Sequence, residues 1–318
     1  MTRIFVTGGA GYIGAIATHQ LLESGYDVTV FDDLSTGHRD AVDSRAQFVQ
    51  ASLLDEDALK KAIEGAHAVM HFAGKSLVGE SVEKPDLYMK VNVEGSKNVL
   101  SAMRSAGVKK IVFSSSAATY GEPTESPITE ESATLPTNPY GLSKLTVDIL
   151  LAESEIADGF ASCSLRYFNV AGALNTGKKW LGERHDPETH LIPRVLEATE
   201  NNPLKIFGND WPTSDGTCIR DYIHVVDLIE AHLSALKNLD EKGHSIINIG
   251  SGGGYSVNEV VTTAGNVLGR EIPIRIDSRR AGDPAILVAS IEKAKKVLSW
   301  SPTRNLESMI RDSFQSSM

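Results

Sequence analysis

Tyr140-Gly141-Leu142-Ser143-Lys144 sets a phenol and an ammonium four residues apart, directly after Asn138-Pro139. On a helix this spacing puts both side chains on one face. A phenol with its ordinary pKa of about 10 is a poor base, and a neighbouring ammonium favours the phenolate and lowers that value. The pair therefore reads as a proton acceptor tuned by a cation. Alone, such a pair is common in purely structural helices. A second source of hydroxyls, Ser114-Ser115-Ser116, closes an apolar run. A serine cluster there is either internally satisfied or functional, and the ends of central strands are where α/β active sites sit.

A third element decides between these readings. Gly8, Gly11 and Gly14 are three residues apart, immediately after Ile4–Thr7 and before a segment with helical spacing from Ile13 to Glu23. Glycines in that setting let the backbone turn tightly, approach a pyrophosphate and pack helix on strand, while the helix N-terminus offers N–H groups to phosphate. The context, strand then glycine loop then helix, separates a dinucleotide site from a plain glycine turn. Asp32 closes the next strand, Asp27–Phe31. A carboxylate there accepts from both ribose hydroxyls and repels a 2′-phosphate, so NAD is expected over NADP. Asp33 adds a second acid or serves as a turn residue.

These groups require a scaffold, and the chain supplies alternating elements. Strands are expected at Ala68–Phe72, Lys110–Ser114 and Ser162–Phe168, and helices at Leu87–Ala106 and Tyr140–Ile156. Gly121 to Pro139 reads as a polar loop. This alternation predicts an α/β fold, a Rossmann-like parallel sheet flanked by helices. After Asn169 the texture changes, and 171–189 reads as a loop or boundary. A helix from Val225 to Leu239 and a strand from Ile246 to Ile249 return to the first domain. The expected division is residues 1–169, with returning segments at about 223–250, for the cofactor, and 170–222 plus 251–318 for a smaller mixed α/β substrate domain.

The chain has 318 residues, 41% of them apolar, and a formal charge of −10. Its acidic residues are dispersed, which argues against a nucleic-acid or anionic-membrane surface. Cys163 and Cys218 are the only cysteines, too few for a disulfide framework and suited to a reducing compartment. Met1 to Val6 reads as a first strand with no secretion signal, and no segment has the apolar length to cross a bilayer. A cytoplasmic protein is expected, with no metal site.

Beyond these motifs the chain resembles, over nearly its whole length, the UDP-glucose 4-epimerase family of extended short-chain dehydrogenase/reductases. The resemblance is carried by Val6 to Gly14, Asp32-Asp33-Leu34-Ser35, His71-Phe72-Ala73-Gly74, Val78-Gly79-Glu80-Ser81, the serine run with Tyr120-Gly121, and the Tyr140–Lys144 helix. The second half is more specific. Leu165-Arg166-Tyr167-Phe168-Asn169, His190-Leu191-Ile192-Pro193, Pro212 through Val225 and Arg280-Ala281-Gly282-Asp283 all follow the family pattern.

The resemblance implies roles. Tyr140 is the base, Ser116 holds the sugar O4, and Lys144 tunes Tyr140 and holds the nicotinamide ribose. NAD is expected against Gly8, Gly11, Tyr12, Ile13 and Gly14, against Asp32 and Asp33, against Phe72, Ala73 and Gly74, and against Asn92, Ser114 and Tyr167. The UDP-sugar is expected against Asn169, His190 and Leu191, Phe207, Arg220, Arg280 and Asp283. The two guanidinium groups suit a diphosphate chemically, although an interdomain ion pair would use the same residues. Leu287 is expected to border the sugar. The implied reaction is reversible C4 epimerisation of UDP-glucose and UDP-galactose through a 4-keto intermediate, the hydride passing to NAD and returning to the opposite face. A homodimer pairing through the Leu87–Ala106 helix and the helix after Tyr140 is also implied.

Some positions depart from the commonest family pattern: Ala51-Ser52, Val91 before Asn92, and Ser76 beside Lys75. Three alternatives stand beside the main reading. A nucleotide-sugar dehydratase would need an acid and a base where this chain has Ala117 and Ala118, and two methyl groups supply neither. A non-catalytic NAD(H) sensor would have no need of Tyr140, Lys144 and Ser116 together. A 4-epimerase for another UDP-sugar, N-acetylated or pentose, stays open.

Overall fold

The computed structural model describes residues 2–239, 243–280 and 283–318. Met1, at the head of the expected first strand, and Ala281-Gly282, in the middle of the Arg280–Asp283 segment, lie outside the described residues. The chain packs as two units, Met1–Gly121 with Ala133–Arg166 and Ile229–Ile247, and Glu122–Ser132 with Tyr167–Leu228 and Asn248–Met318.

The first unit is organised by strands that are apolar on both faces. Ile4, Phe5 and Val6 of β1 (Arg3–Thr7) are all buried, the pattern of a sheet covered from both sides. The remaining strands are β2 (Asp27–Asp32), β3 (Gln47–Gln50), β4 (Ala68–His71), β5 (Lys110–Ser116), β6 (Ala161–Tyr167) and β7 (Gly243–Ile249). They form one sheet in the order β7-β6-β5-β4-β1-β2-β3. The pairs β1–β2, β1–β4, β2–β3 and β4–β5 are parallel. Strand order reverses between β1 and β4, the switch point at which such sheets bind ligands. β1 runs into the Gly8 loop and β4 into Phe72-Ala73-Gly74. β3 had no visible signature in the sequence, because it is four residues long with its ends exposed.

Helices flank this sheet. α1 (Tyr12–Glu23) buries Ala15, Ile16, Ala17 and Leu21. Val99 and Met103 of α2 (Gly95–Ala106) and Val147 and Leu151 of α3 (Pro139–Asp158) pack with Phe5, Phe31, Val69, Ile111 and Phe113 in one core. α3 starts where the sequence predicts, because Asn138 Oδ1 accepts from Gly141 N (2.9 Å) and Pro139 sits in the first turn. The single helix expected over Leu87–Ala106 is instead interrupted. Pro85–Tyr88 leads into a π-helical stretch, Met89–Glu94, before α2. Single π turns inside helices frequently mark functional sites, and this one carries Asn92.

The second unit has its own core, built from Ile192, Val195, Leu204, Ile206, Tyr222, Val260, Met309 and Ile310. Its sheets are small and mixed. Leu204–Phe207 runs parallel to Ile274–Asp277, and Ile219–Arg220 lies between antiparallel Tyr255–Ser256 and parallel Ile286–Leu287. Asp221 pins this region from a fully buried position. Its Oδ1 accepts from Ser251 N and Oγ, and its Oδ2 from Ala289 N (3.0 Å) and Gly252 N (3.2 Å). Residues 122–132, expected within the first domain, pack here instead. Ile128 exchanges backbone hydrogen bonds with Val288 and Ser290, and Glu130 accepts from Asn248 N. The expected loop at 171–189 also contains a short antiparallel pair, Leu174–Asn175 with Trp180–Leu181. Among the described residues no helix is long and apolar enough to cross a membrane.

Candidate active site

The glycine loop leaves β1 at Gly8, whose φ is +72°, and a Cβ there would sit 2.5 Å from Ala73 N. A Cβ on Gly14 would collide with the Gly8 carbonyl oxygen. Helix, loop and the end of β4 therefore meet at a distance that only glycine permits. α1 begins after Gly11 with no side-chain cap and no acid in its first turn, which leaves its N-terminus suited to an anion. Tyr12 and Ile13 follow, both half-buried. Asp32 is buried at the end of β2, with Oδ2 accepting from Ala10 N (3.0 Å) and Oδ1 from Leu34 N (2.8 Å). Burial pushes its pKa up, against the pull of those two N–H groups. One lone pair on each oxygen remains for an incoming hydroxyl. Asp33 is exposed and caps its own turn through Ser35 N (2.8 Å).

Phe72 and Gly74 stand at the end of β4. The Phe72 ring lies 4.9 Å from that of His232. Gly74 leaves room beside Asn92 and Lys144, since a Cβ there would lie 3.0 Å from Asn92 Oδ1 and 3.8 Å from Lys144 Nζ. Asn92 is buried, and both of its amide hydrogens are used by the protein, on Lys75 O (3.0 Å) and Ser143 Oγ (2.9 Å). Its Oδ1 accepts from Lys75 N (2.7 Å). Asn92 therefore fixes the Lys75 backbone and, through the Ser143 hydroxyl that donates to Tyr140 O, the first turn of α3.

Tyr140 and Lys144 lie on one face of α3 as the spacing requires. The Ser116 side chain is the neighbour that acts to lower the Tyr140 pKa, and the ring meets Tyr88 edge-on at 6.4 Å. Lys144 is buried and donates from Nζ to Ser114 O (2.8 Å), 5.9 Å from the Tyr140 ring centroid. The Ser114 hydroxyl is engaged with His232 Nε2 (3.2 Å).

The electrostatics correct one expectation. Burial raises the pKa of Tyr140, with only Ser116 acting downward, and burial lowers Lys144 to about 8. The ammonium is aimed at a backbone carbonyl rather than at the phenol, so it does not by itself make Tyr140 a phenolate in the protein alone.

Several buried groups near this triad were given no role of their own in the sequence. Asp148 is one further turn along the Tyr140–Lys144 face of α3. Its Oδ2 receives Arg166 Nε (3.0 Å), Arg166 Nη2 (2.9 Å) and Ser115 Oγ (3.1 Å). Asp148 is also the charge that opposes the lowering of the Lys144 pKa. An acid four residues after Lys144, in line with Tyr140 and beside Val147 and Leu151, was the available signal. His71 bridges Thr7 Oγ1 (2.6 Å) and Ser96 Oγ (2.8 Å), and burial depresses its pKa to about 3.

The second unit holds the remaining candidates. Asn169 donates from Nδ2 to Asp221 O (2.8 Å), and Tyr167 closes β6. Arg220 donates from Nη1 to Ile219 O and Pro284 O, while its buried Nη2 has no hydrogen-bond partner and lies 3.8 Å from Asp283 Oδ1. Arg280 reaches the same carboxylate through Nε (2.9 Å) and stands 4.6 Å over the Phe207 ring. Asp283 thus joins both arginines. Leu287 is half-buried and pairs in register with Arg220. His190 precedes the helix Leu191–Leu196, its Nδ1 2.7 Å from Glu188 Oε1. Burial pulls the His190 pKa down, but Glu188 and Glu183 leave it raised overall.

Comparison with known proteins adds relatives to this geometry. Residues 4–250 match the NAD dependent epimerase/dehydratase family. A UDP-glucose 4-epimerase of Corynebacterium glutamicum is 49% identical over 317 residues, covering 98% of this chain and 94% of that protein. The structure of a Brucella ovis UDP-glucose 4-epimerase in complex with NAD superposes with a TM-score of 0.95 at 43% identity, covering 99% of this chain and 98% of the other. A UDP-Glc/GlcNAc 4-epimerase of Campylobacter jejuni aligns with a TM-score of 0.87 at 38% identity, over 99% and 98% of the two chains.

Proposed function

The chain belongs to the NAD-dependent epimerase/dehydratase family, among the UDP-glucose 4-epimerases, and from that premise we infer that it interconverts UDP-glucose and UDP-galactose by inverting C4. The observation that carries the reading is Tyr140 on the helix face of buried Lys144, whose Nζ donates to Ser114 O at the end of β5 beside Gly74. The test is direct. Purified protein given UDP-galactose, with no cofactor added, forms UDP-glucose, and the same mixture is reached from UDP-glucose, as resolved by chromatography. A folded, NAD-loaded protein that leaves both sugars unchanged would be a sensor instead.

When bound, NAD supplies a reversible hydride acceptor for C4. The chain's own residues do the rest. Tyr140 takes the O4 proton and returns it, and Ser116 holds O4 and passes that proton. Lys144 supplies positive charge and a donor at the nicotinamide ribose. The first unit is assigned to NAD and the second to the UDP-sugar. Arg220, with its buried unpartnered Nη2, suits the diphosphate, and the Arg280–Phe207 pair suits the uridine end with Asp283. Asn169, His190 and Leu191 complete the sugar-nucleotide side.

The cofactor is NAD rather than NADP, because buried Asp32 carries the ribose end. Denaturing the purified protein and identifying the released dinucleotide by mass gives NAD. A preparation holding mainly NADP would overturn the assignment, and Asp32→Ala is expected to retain less cofactor.

Leu287 supports a second, narrower reading of the substrate. It leaves more space than a tyrosine but cannot hydrogen-bond an N-acetyl group. Burying that amide unpaired costs roughly 1–3 kcal/mol. UDP-galactose is therefore expected to be the better substrate, with slower turnover of UDP-GalNAc. Measuring kcat/KM for both sugars, in the parent and in Leu287→Tyr, checks this. A parent that prefers UDP-GalNAc contradicts the ranking, and an unchanged ratio in the variant removes Leu287 as the gate.

A homodimer fits the surface of α3. Leu142, Ile149 and Ile156, seven residues apart, are 47%, 51% and 86% exposed. Such a stripe is an apolar seam awaiting a partner, and pairing through α2 and α3 would cover it. Light scattering at micromolar concentration gives the mass of two chains, whereas a single-chain mass refutes the pairing. Cytoplasmic residence fits the two free cysteines, Cys163 and Cys218.

A further inference from the structure

The His71-Phe72-Ala73-Gly74 segment carries a buried imidazole to which the reaction above gives no task. Its hydrogen bonds can be oriented one by one. The Ser96 hydroxyl donates to Asn92 O, a carbonyl that can only accept. Ser96 Oγ then has only lone pairs to offer His71 Nε2, 2.8 Å away, so that nitrogen is the donor. A neutral imidazole accepts at its other nitrogen. The Thr7 hydroxyl therefore donates to His71 Nδ1 (2.6 Å), and Thr7 Oγ1 in turn accepts from Ala73 N (3.4 Å). A second proton, on Nδ1, would take from the Thr7 hydroxyl the acceptor it has. Burial, with the Lys144 charge adding to it, lowers the His71 pKa to about 3 and keeps the ring neutral.

Thr7, His71, Ser96 and Asn92 are all buried, and their hydrogen bonds form one line. At one end Thr7 closes β1, and Ala73 lies where a Cβ on Gly8 would meet its backbone. At the other end Asn92 lies in the π-helical stretch. Its side chain donates to Ser143 Oγ (2.9 Å), which donates to Tyr140 O (2.7 Å). The line thus runs from the strand ends beside the glycine loop to the first turn of the helix that carries Tyr140.

We propose that His71 is a positioning residue for the C4 chemistry: as a neutral imidazole protonated on Nε2, it holds the glycine loop and the Tyr140 turn at one fixed spacing. The Thr7 arm sets the cofactor side, and the Ser96–Asn92 arm sets the Tyr140 side. A buried polar network specifies one geometry when all its members are satisfied. Misplacing reacting groups by a small distance costs up to about 10²-fold in rate. The proposal rests on the epimerase reading of Tyr140, and the parent's own turnover, measured first, tests that reading separately.

The experiment compares the active parent with variants by kcat per NAD-loaded chain, KM for UDP-galactose, and NAD kept through dialysis. His71→Phe keeps a ring and loses both arms. His71→Asn places an acceptor near the Nδ1 position for Thr7, and His71→Gln places an amide near the Nε2 position that can donate to Ser96. His71→Phe and His71→Asn are expected to lower kcat by about tenfold or more. Their KM is expected to stay within about twofold, since no link of the line is assigned to the UDP-sugar. His71→Gln is expected to regain most of the parent's kcat, and His71→Asn to keep more NAD than His71→Phe. Ser96→Ala, a smaller change that cuts only the Tyr140 arm, is expected to keep NAD and to lower kcat as His71→Asn does. Circular dichroism establishes which variants are folded, and Ser96→Ala decides the matter if the His71 variants are not. Variants that lose stability or NAD yet turn over at the parent's rate per loaded chain overturn the proposal and leave the line a purely structural one. A folded His71→Gln no faster than His71→Asn overturns it, as does a folded Ser96→Ala with the parent's kcat.

Discussion

Tyr140→Phe is expected to abolish most turnover of UDP-galactose while the protein stays folded and loaded with NAD. The substitution removes one oxygen and little volume, and it takes away the hydroxyl on which Ser116 acts. What it removes chemically is the proton acceptor for O4, and loss of a general base typically costs about 10²–10⁴-fold. Ser116 does not replace it, because an unaided hydroxyl is far too weak a base near neutral pH. Comparing kcat for Tyr140→Phe and the parent at equal cofactor content is the check. A folded, loaded variant with near-parent kcat would remove Tyr140 from the mechanism.

Arg166→Met is expected to cost about 3–5 kcal/mol of folding stability, the usual penalty for stranding a buried charge. Arg166 and Asp148 are both 2% exposed, and Asp148 Oδ2 takes two guanidinium hydrogen bonds. With the guanidinium gone, Ser115 keeps its hydrogen bond to the carboxylate and Lys144 remains as a nearby cation that makes no hydrogen bond to it. Asp148 Oδ1 already has no hydrogen-bond partner in the parent, so the two lost guanidinium bonds are not replaced. The double variant Asp148→Leu with Arg166→Met is expected to be more stable than Arg166→Met alone, since it removes both charges. Urea unfolding of the three proteins tests this. A single variant within about 1 kcal/mol of the parent would mean that the pair is not the structural anchor inferred here.

The pair also bears on the chemistry. Asp148 opposes the loss of charge on Lys144. Replacing Asp148 is therefore expected to let Lys144 give up its proton below pH 8, the reverse of what its nicotinamide-ribose role requires.

The sequence made some of this architecture plain and hid other parts, for physical reasons. The glycine loop, Asp32 and the Tyr140–Lys144 helix were legible because each depends on local chemistry: a backbone turn, a strand end and a helical period. The strands β1, β4 and β5 were visible because both faces are apolar. β3 was hidden because an edge strand with exposed ends carries little apolar pattern. The π turn at Met89–Glu94 depends on packing and leaves no periodic trace.

Burial around Tyr140 and Lys144 was also invisible, so the direction of the phenol's pKa was misjudged. Residues 122–132 join the second unit through a bridge from Ile128 to Ala289, a pairing far apart in sequence.

The measurement closest to the central claim follows the hydrogen at C4. UDP-galactose carrying deuterium at C4 is incubated with the purified protein in ordinary water, and the UDP-glucose formed is examined by proton NMR and mass spectrometry. The account predicts that the product keeps its deuterium at C4 with inverted configuration, because the hydrogen leaves and returns within one closed site. Product that has lost the label to solvent, or that has inverted C4 by cleavage of a carbon–oxygen bond with uptake of solvent oxygen, would contradict it.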